Sequence, residues 1–197
     1  MNIEQFCASD DIRHYLHKPL RTERGLVATN GHIAVLVADN GGEYENFSDH
    51  IKNTSAERLF SPHETVDKWL AASLVALPVP TPCDHCNGTG HTLWTDCDEC
   101  DGEGYFDHGG HEYECKECDG EGRVKRVGGD HKEPCPWCDS TGNKLVPIPV
   151  GDQAHISSKY LAVLHGLPDC EISLGGTSAG IPFRFNGGIG VVMPMRA

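Results

Sequence analysis

Eight of the ten cysteines in this 197-residue chain fall into one register within residues 83–142. They read Cys83-Asp-His-Cys86-Asn-Gly88-Thr-Gly90, Cys97-Asp-Glu-Cys100-Asp-Gly102-Glu-Gly104, Cys115-Lys-Glu-Cys118-Asp-Gly120-Glu-Gly122 and Cys135-Pro-Trp-Cys138-Asp-Ser140-Thr-Gly142. A Cys-x-x-Cys step lets one tight turn aim two thiolates at a single metal, and zinc takes four such ligands in a tetrahedron. Two turns complete one site, so four turns predict two zinc ions. The glycines that follow each pair let the chain leave the turn at positive φ without a Cβ clash. Two other readings weigh less. A disulfide scaffold would suit a secreted protein, but paired Cys-x-x-Cys spacing favours metal. A thiol redox site would want a βαβ context, which this stretch lacks.

Residues 83–142 resemble the cysteine-rich zinc domain of DnaJ-type co-chaperones, whose repeat is CxxCxGxG. Three repeats match fully, and Ser140 stands where the fourth would have its first glycine. The resemblance implies nested pairing: Cys83, Cys86, Cys135 and Cys138 on one zinc, and Cys97, Cys100, Cys115 and Cys118 on the other. Nesting also suits an insert, because it closes the two ends of the module and staples its tip. The His-Pro-Asp motif with which DnaJ proteins stimulate their ATPase partner does not occur.

The formal charge is −13. Residues 81–143 hold fifteen Asp/Glu against five Lys/Arg, a net of −10, and the rest of the chain carries −3. Eight thiolates with two zinc ions would add about −4 to that arm, since ligating cysteines are deprotonated. An acidic arm repels phosphate, so nucleic acid is an unlikely ligand for it. The cluster Arg123-Val-Lys125-Arg126 is expected to lie on a hairpin and offset nearby acids. His85, His91, His108, His111 and His131 are surplus to a four-cysteine site and read as solvent-facing loop histidines. Cys7 and Cys170 read as buried small hydrophobes. No HExxH, GxSxG or phosphate-binding GxxxxGK[ST] loop is present, and the expectation is a protein that is not an enzyme.

Around the arm, two segments must make one body: residues 1–80 and 144–197, with 81–143 as the inserted module. Hydrophobic content of 38% suits a modest core diluted by the glycine-rich arm. The start MNIEQFCASDD has neither a basic n-region nor an apolar run, so a reducing, cytoplasmic setting is expected. A short helix is predicted over 2–9 and a strand over 12–21 broken near Pro19. Residues 25–29 and 32–38 predict a hairpin turned by Asn30-Gly31. Ser61-Pro62-His63-Glu64 reads as a helix start, and Val66, Trp69, Leu70, Leu74 and Leu77 follow at helical spacing. Leu145–Val150 reads as an extended linker. A helix is predicted from Ser157-Ser158 to about Leu164, with strands over 170–174, 181–186 and 188–195.

These flanks resemble a domain of the bacterial sliding clamp (β-clamp). Gly190-Val191-Val192-Met193-Pro194-Met195-Arg196 is very similar to the end of that family. Ser158–Leu164 with Leu167-Pro168, Ile12–Leu16 and Ala28-Thr-Asn-Gly-His32 resemble further segments of it, so that roughly residues 3–40 and 153–197 are covered. The resemblance implies an α+β clamp-like domain of two helix-plus-β-sheet halves. It further implies a partner-binding tail of Val192, Met193, Pro194, Met195 and Arg196 that helps capture peptides of replication-associated proteins. Ile33 stands where the family has arginine, and Lys159 is the clearest basic residue for an inner face. The combined expectation is a zinc-binding protein-interaction module of a bacterium or phage. The alternatives are chaperone-like binding of extended polypeptide or DNA binding as a clamp-like assembly.

Overall fold

A computed structural model describes residues 2–9, 11–51, 56–61, 63, 66–126, 128–177 and 179–196. The chain separates into two compact units, Met1–Pro78 with Val146–Ala197, and Val79–Leu145. In chain order the first segment holds β1 (Leu20–Thr22), β2 (Gly25–Thr29), β3 (Ile33–Val37), α1 (Phe47–His50), α2 (Ala56–Phe60) and β4 (Trp69–Ala71). The second unit holds β5 (His91–Asp96), β6 (Tyr105–His108), β7 (His111–Glu114), β8 (Arg123–Lys125) and β9 (His131–Pro134). The return segment holds β10 (Pro147–Val150), β11 (Ala154–Ser157), α3 (Ser158–His165), β12 (Glu171–Ser173), β13 (Ile181–Phe185) and β14 (Gly188–Val192).

The first unit is built on one seven-stranded antiparallel sheet of order β1-β2-β3-β14-β13-β12-β4. Two three-strand meanders, one from each end of the chain, meet where β3 pairs with β14, with Val35 opposite Gly190 and Ile33 opposite Val192. The central strands read as continuous apolar runs because both of their faces are covered. Successive side chains point to opposite faces, and the two clusters sort accordingly. Leu26, Ala28, Ile33, Val35 and Val192 join the larger cluster, with Phe183, Ile172 and the α3 residues Tyr160, Leu161 and Leu164. Val27, Ala34, Leu36 and Val191 join the smaller one, with Phe47 of α1 and Phe60 of α2. The hairpin β10–β11 adds Ile148, Val150 and Ile156 to the larger cluster.

The turn between β2 and β3 is where Asn30-Gly31 predicts it. The Asn30 side-chain oxygen accepts the backbone N–H groups of His32 (2.9 Å) and Ile33 (3.0 Å), and Gly31 has φ 88°. α3 and strands β12–β14 also fall on predicted segments. Neither serine caps α3 in the expected way. Ser157 makes no side-chain cap, and the Ser158 hydroxyl instead accepts the Val146 N–H at 3.1 Å. Residues 2–9 form only a 3-10 turn, Ile3–Phe6, and 12–21 divide into a 3-10 turn at His14–His17 and β1. Leu145–Val150 is not a free linker, since β10 pairs with β11.

The expected α+β clamp-like architecture of two helix-plus-sheet halves is overturned. Among the described residues the fold is 34% strand and 15% helix, with three short helices of four, five and eight residues. The predicted helix after Ser61 is the main error. Its cap residues Pro62 and Glu64 lie outside the described residues. Trp69–Ala71 form edge strand β4 and Ala72–Leu74 a 3-10 turn. Helical spacing there is real, but the core does not meet the whole of that face: Leu70 packs against the larger cluster, whereas Leu74 is 72% exposed and Leu77 39%. A sheet edge wins because β12 offers a backbone partner, Leu70 opposite Ile172. The Trp69 ring also gains the Arg184 guanidinium at 4.5 Å.

The contrast between α3 and the mispredicted helix is measurable. Leu164→Ala, at a fully buried site, is expected to cost about 2–5 kcal/mol. Leu74→Ala, at an exposed one, should change stability by about 0.5 kcal/mol or less. Chemical denaturation of the two variants checks this, and comparable losses would restore a packed helix over 66–77.

Candidate metal centres

Each Cys-x-x-Cys turn is closed by the same two backbone bonds. The N–H five residues after the first cysteine donates to that cysteine's carbonyl, as in Gly102 to Cys97 (3.1 Å) and Ser140 to Cys135 (3.1 Å). The next N–H donates to the second cysteine, as in Glu103 to Cys100 (3.0 Å) and Thr141 to Cys138 (3.0 Å). The residue after each second cysteine is left-handed: Asn87 (φ 51°), Asp101 (51°), Asp119 (48°) and Asp139 (48°). Asn and Asp tolerate that region better than other residues with a Cβ. All four repeats place one of them there, a signal that the repeat pattern holds but that the spacing of cysteines and glycines alone does not reveal. Ser140 keeps the turn that glycine makes elsewhere, at φ 60°.

The turns then pair in twos through reciprocal backbone bonds. Cys83 N–H donates to Gly142 (2.8 Å) and Cys135 N–H to Gly90 (2.9 Å). Cys97 N–H donates to Gly122 (2.9 Å) and Cys115 N–H to Gly104 (2.8 Å). The last glycine of each repeat sits where the two turns touch. A Cβ on Gly90 would lie 2.5 Å from the Ser140 carbonyl oxygen, and one on Gly142 would meet the Gly88 carbonyl equally hard.

This pairing gathers two four-cysteine groups, Cys83, Cys86, Cys135 and Cys138, and Cys97, Cys100, Cys115 and Cys118. All eight are buried, and within each group the sulfurs lie within 4.8 Å of one another. Sulfur pairs stand 3.7 Å apart (Cys86–Cys138), 3.9 Å (Cys97–Cys115) and 3.8 Å (Cys100–Cys118). A tetrahedron with metal–sulfur bonds of about 2.3 Å has edges of about 3.8 Å. All ten cysteines are free thiols. The donor sets therefore fit two thiophilic, tetrahedral metal ions. Backbone N–H groups stabilise negative sulfur: Gly90 donates to Cys86 (3.3 Å) and Gly104 to Cys100 (3.2 Å).

Burial pushes the Cys118 and Cys138 thiols up to about 12, and the neighbouring thiols of each group add to the rise. Burial acts on Cys86 too, but the Gly90 N–H and the thiols of Cys138, Cys83 and Cys135 bring it down to about 6. A metal must displace the thiol protons to bind, so acid competes with metal at both centres.

The two centres differ in what covers them. At the first, His85 and Trp137 stack between the paired turns, 4.1 Å apart and 7° from parallel, and Trp137 remains 65% exposed. Val124 packs against the second. Strands β8, β5 and β9 form a three-stranded sheet, and β6–β7 a separate hairpin. The basic cluster behaves as expected of a charge offset: Arg123 pairs with Glu133, Arg126 with Asp98 (3.4 Å), and Lys125 donates to the His85 carbonyl.

The predicted tail is divided. Val192 is fully buried in the larger cluster and cannot meet a partner. Beyond β14 the Met193 N–H donates to the His32 carbonyl (2.7 Å) and the Met195 N–H to the His155 carbonyl (2.8 Å). Met193 is 44% exposed, Pro194 and Met195 are half-buried and Arg196 is exposed. Cys170 is buried against the larger cluster and Cys7 half-buried beside it, and burial raises both thiols, to about 12 and about 11. Among the described residues no helix is long and apolar enough to cross a membrane.

Compared with known protein families, curated proteins and solved structures, the chain shows no significant match. Neither the clamp resemblance nor the DnaJ-type resemblance gains support from them.

The reciprocal pairing makes the two centres separable. Cys97→Ser should empty the second and leave the first filled. Gly142→Ala, which forces apart the turns of the first, should do the reverse. Metal content per chain is expected to fall from two to one in each, and loss of both ions from either variant would contradict two independent centres.

Proposed function

We propose that this chain is a non-enzymatic, zinc-binding protein-interaction module of a reducing cytoplasm, with a DnaJ-type two-zinc arm as its contact surface. Four buried thiolates per site are the donor set that zinc prefers in structural centres, and four CxxCxGxG-like repeats support the DnaJ-type reading. The observation that carries the interaction is the set of aromatic side chains on the arm. Tyr105 (41%), Phe106 (41%), Tyr113 (52%) and Trp137 (65%) are all substantially exposed. Aromatic side chains on an otherwise charged surface are the usual anchors of protein interfaces. The surrounding acidity turns nucleic acid away and favours a partner segment with basic and apolar residues.

A second reading has its own observation. Strands β6 and β7 form a two-stranded ribbon whose eight residues are all exposed. An extended polypeptide could add a strand to such an edge, which is the chaperone-like alternative. Replication-associated proteins are the partner class worth testing first, on the Met193–Arg196 stretch alone, where exposure begins. The clamp fold is not part of the proposal.

The test compares the intact protein with Phe106→Ala/Tyr113→Ala/Trp137→Ala and with Met193→Ala/Met195→Ala. Each is titrated with labelled clamp-binding peptide, unfolded polypeptide and duplex DNA at physiological salt. The aromatic variant should keep two metal ions and lose polypeptide binding by roughly tenfold or more, as expected when aromatic anchors are truncated. Tight DNA binding with a steep salt dependence, unaffected by the aromatic changes, would contradict the proposal.

A further inference from the structure

Two histidines close the β6–β7 hairpin. His108 ends β6, His111 begins β7, and the two are direct cross-strand partners. Between them Gly109 (φ 62°) and Gly110 (φ 78°) are both left-handed, the backbone of a two-residue type I′ turn. Glycine is needed there because both turn residues have positive φ. The turn fixes the register, and the register puts both imidazoles on one face of the ribbon, with Cβ atoms about 5 Å apart. Both side chains are exposed. Neither histidine is a candidate for the four-cysteine centres, which are complete without them.

The electrostatic setting favours a cation. Asp107 and Glu112 face each other across the ribbon, and Tyr105 faces Glu114. Two carboxylates directly opposite destabilise a strand pair, and a positive ion at the tip relieves that repulsion. By strand alternation the Asp107–Glu112 pair lies on the face away from the imidazoles, so it supplies field rather than ligands.

We propose that His108 and His111 form a third metal site, an exposed two-imidazole chelate for a divalent transition-metal ion such as Ni²⁺, Cu²⁺ or Zn²⁺, with water completing the shell. Imidazole suits these ions, and nitrogen reaches a metal at about 2.0–2.1 Å, a span that two side chains on opposed strands can bridge. The site differs from the cysteine centres in kind. It is exposed, has two ligands in place of four, and exchanges its ion.

The experiment uses the full chain with its cysteine centres filled, and Ni²⁺ as probe. Substoichiometric Ni²⁺ should broaden the imidazole NMR signals of His108 and His111 before those of the other ten histidines. In calorimetric titration, His108→Gln and His111→Gln should each weaken the strongest exchangeable site by about tenfold or more, the usual scale of a lost chelate. Inserting Gly-Ser-Gly between Gly109 and Gly110 should do the same although both imidazoles remain, because the register is lost. Metal content at the cysteine centres should stay at two throughout. Broadening that appears first at His14, His17 or His50, or Ni²⁺ affinity unchanged by the insertion, would overturn the proposal.

Discussion

The arm depends on one constraint: eight thiol groups must be gathered and hidden in a segment that has almost nothing else to bury. Its strands are largely exposed; every residue of β6 and β7 faces solvent. Below roughly 70–80 residues a chain needs staples such as metal ions in place of a hydrophobic core. Here the cysteine groups are themselves the buried clusters. The backbone prepares for that role. Each cysteine turn lends a carbonyl to its partner turn and takes one back, so four sulfurs arrive at tetrahedral spacing. Glycines at the contact and left-handed Asn or Asp beside each second cysteine follow from the same closeness.

The nested order of the turns has a consequence for the chain. Because the first turn pairs with the fourth, the arm's ends meet. Pro82 bridges Asn143, and the Lys144 N–H donates to the Thr81 carbonyl at 2.8 Å. A segment that returns to its starting point can be inserted in another unit without separating the flanks. The flanks in turn close on each other, since β3 from the first segment and β14 from the second lie side by side in one sheet. Neither segment can bury both faces of that sheet alone. Leu161 and Leu164 of the second pack in the same cluster as Leu26 and Val35 of the first.

What could be read in advance divides along local and non-local lines. The cysteine turns, the Asn30-Gly31 hairpin, α3 and the three closing strands are written in spacing and turn chemistry a few residues long. The segment after Ser61 was not legible, because its periodicity fits a helix while its fate is decided by the free edge of β12, about a hundred residues away. β10 reads as a linker for a different reason: its partner β11 starts only four residues on, but Pro147 and Pro149 argue against a strand. The clamp resemblance rested on short matched stretches, and these carry too little of the chain to specify an architecture. The Val192–Arg196 stretch shows the limit within one motif: its first residue is core, and exposure begins only at Met193. Nothing in the local sequence separates the arm's histidines from loop residues, whereas His91, His108, His111 and His131 sit on strands.

The central claim is that two separate four-sulfur centres hold the arm together. X-ray absorption at the metal edge of the purified protein tests it most directly. Two zinc ions per chain, each with four sulfur neighbours at about 2.3 Å and no nitrogen or oxygen in the shell, is the predicted result. A single ion per chain, or a shell of mixed sulfur and nitrogen, would contradict it.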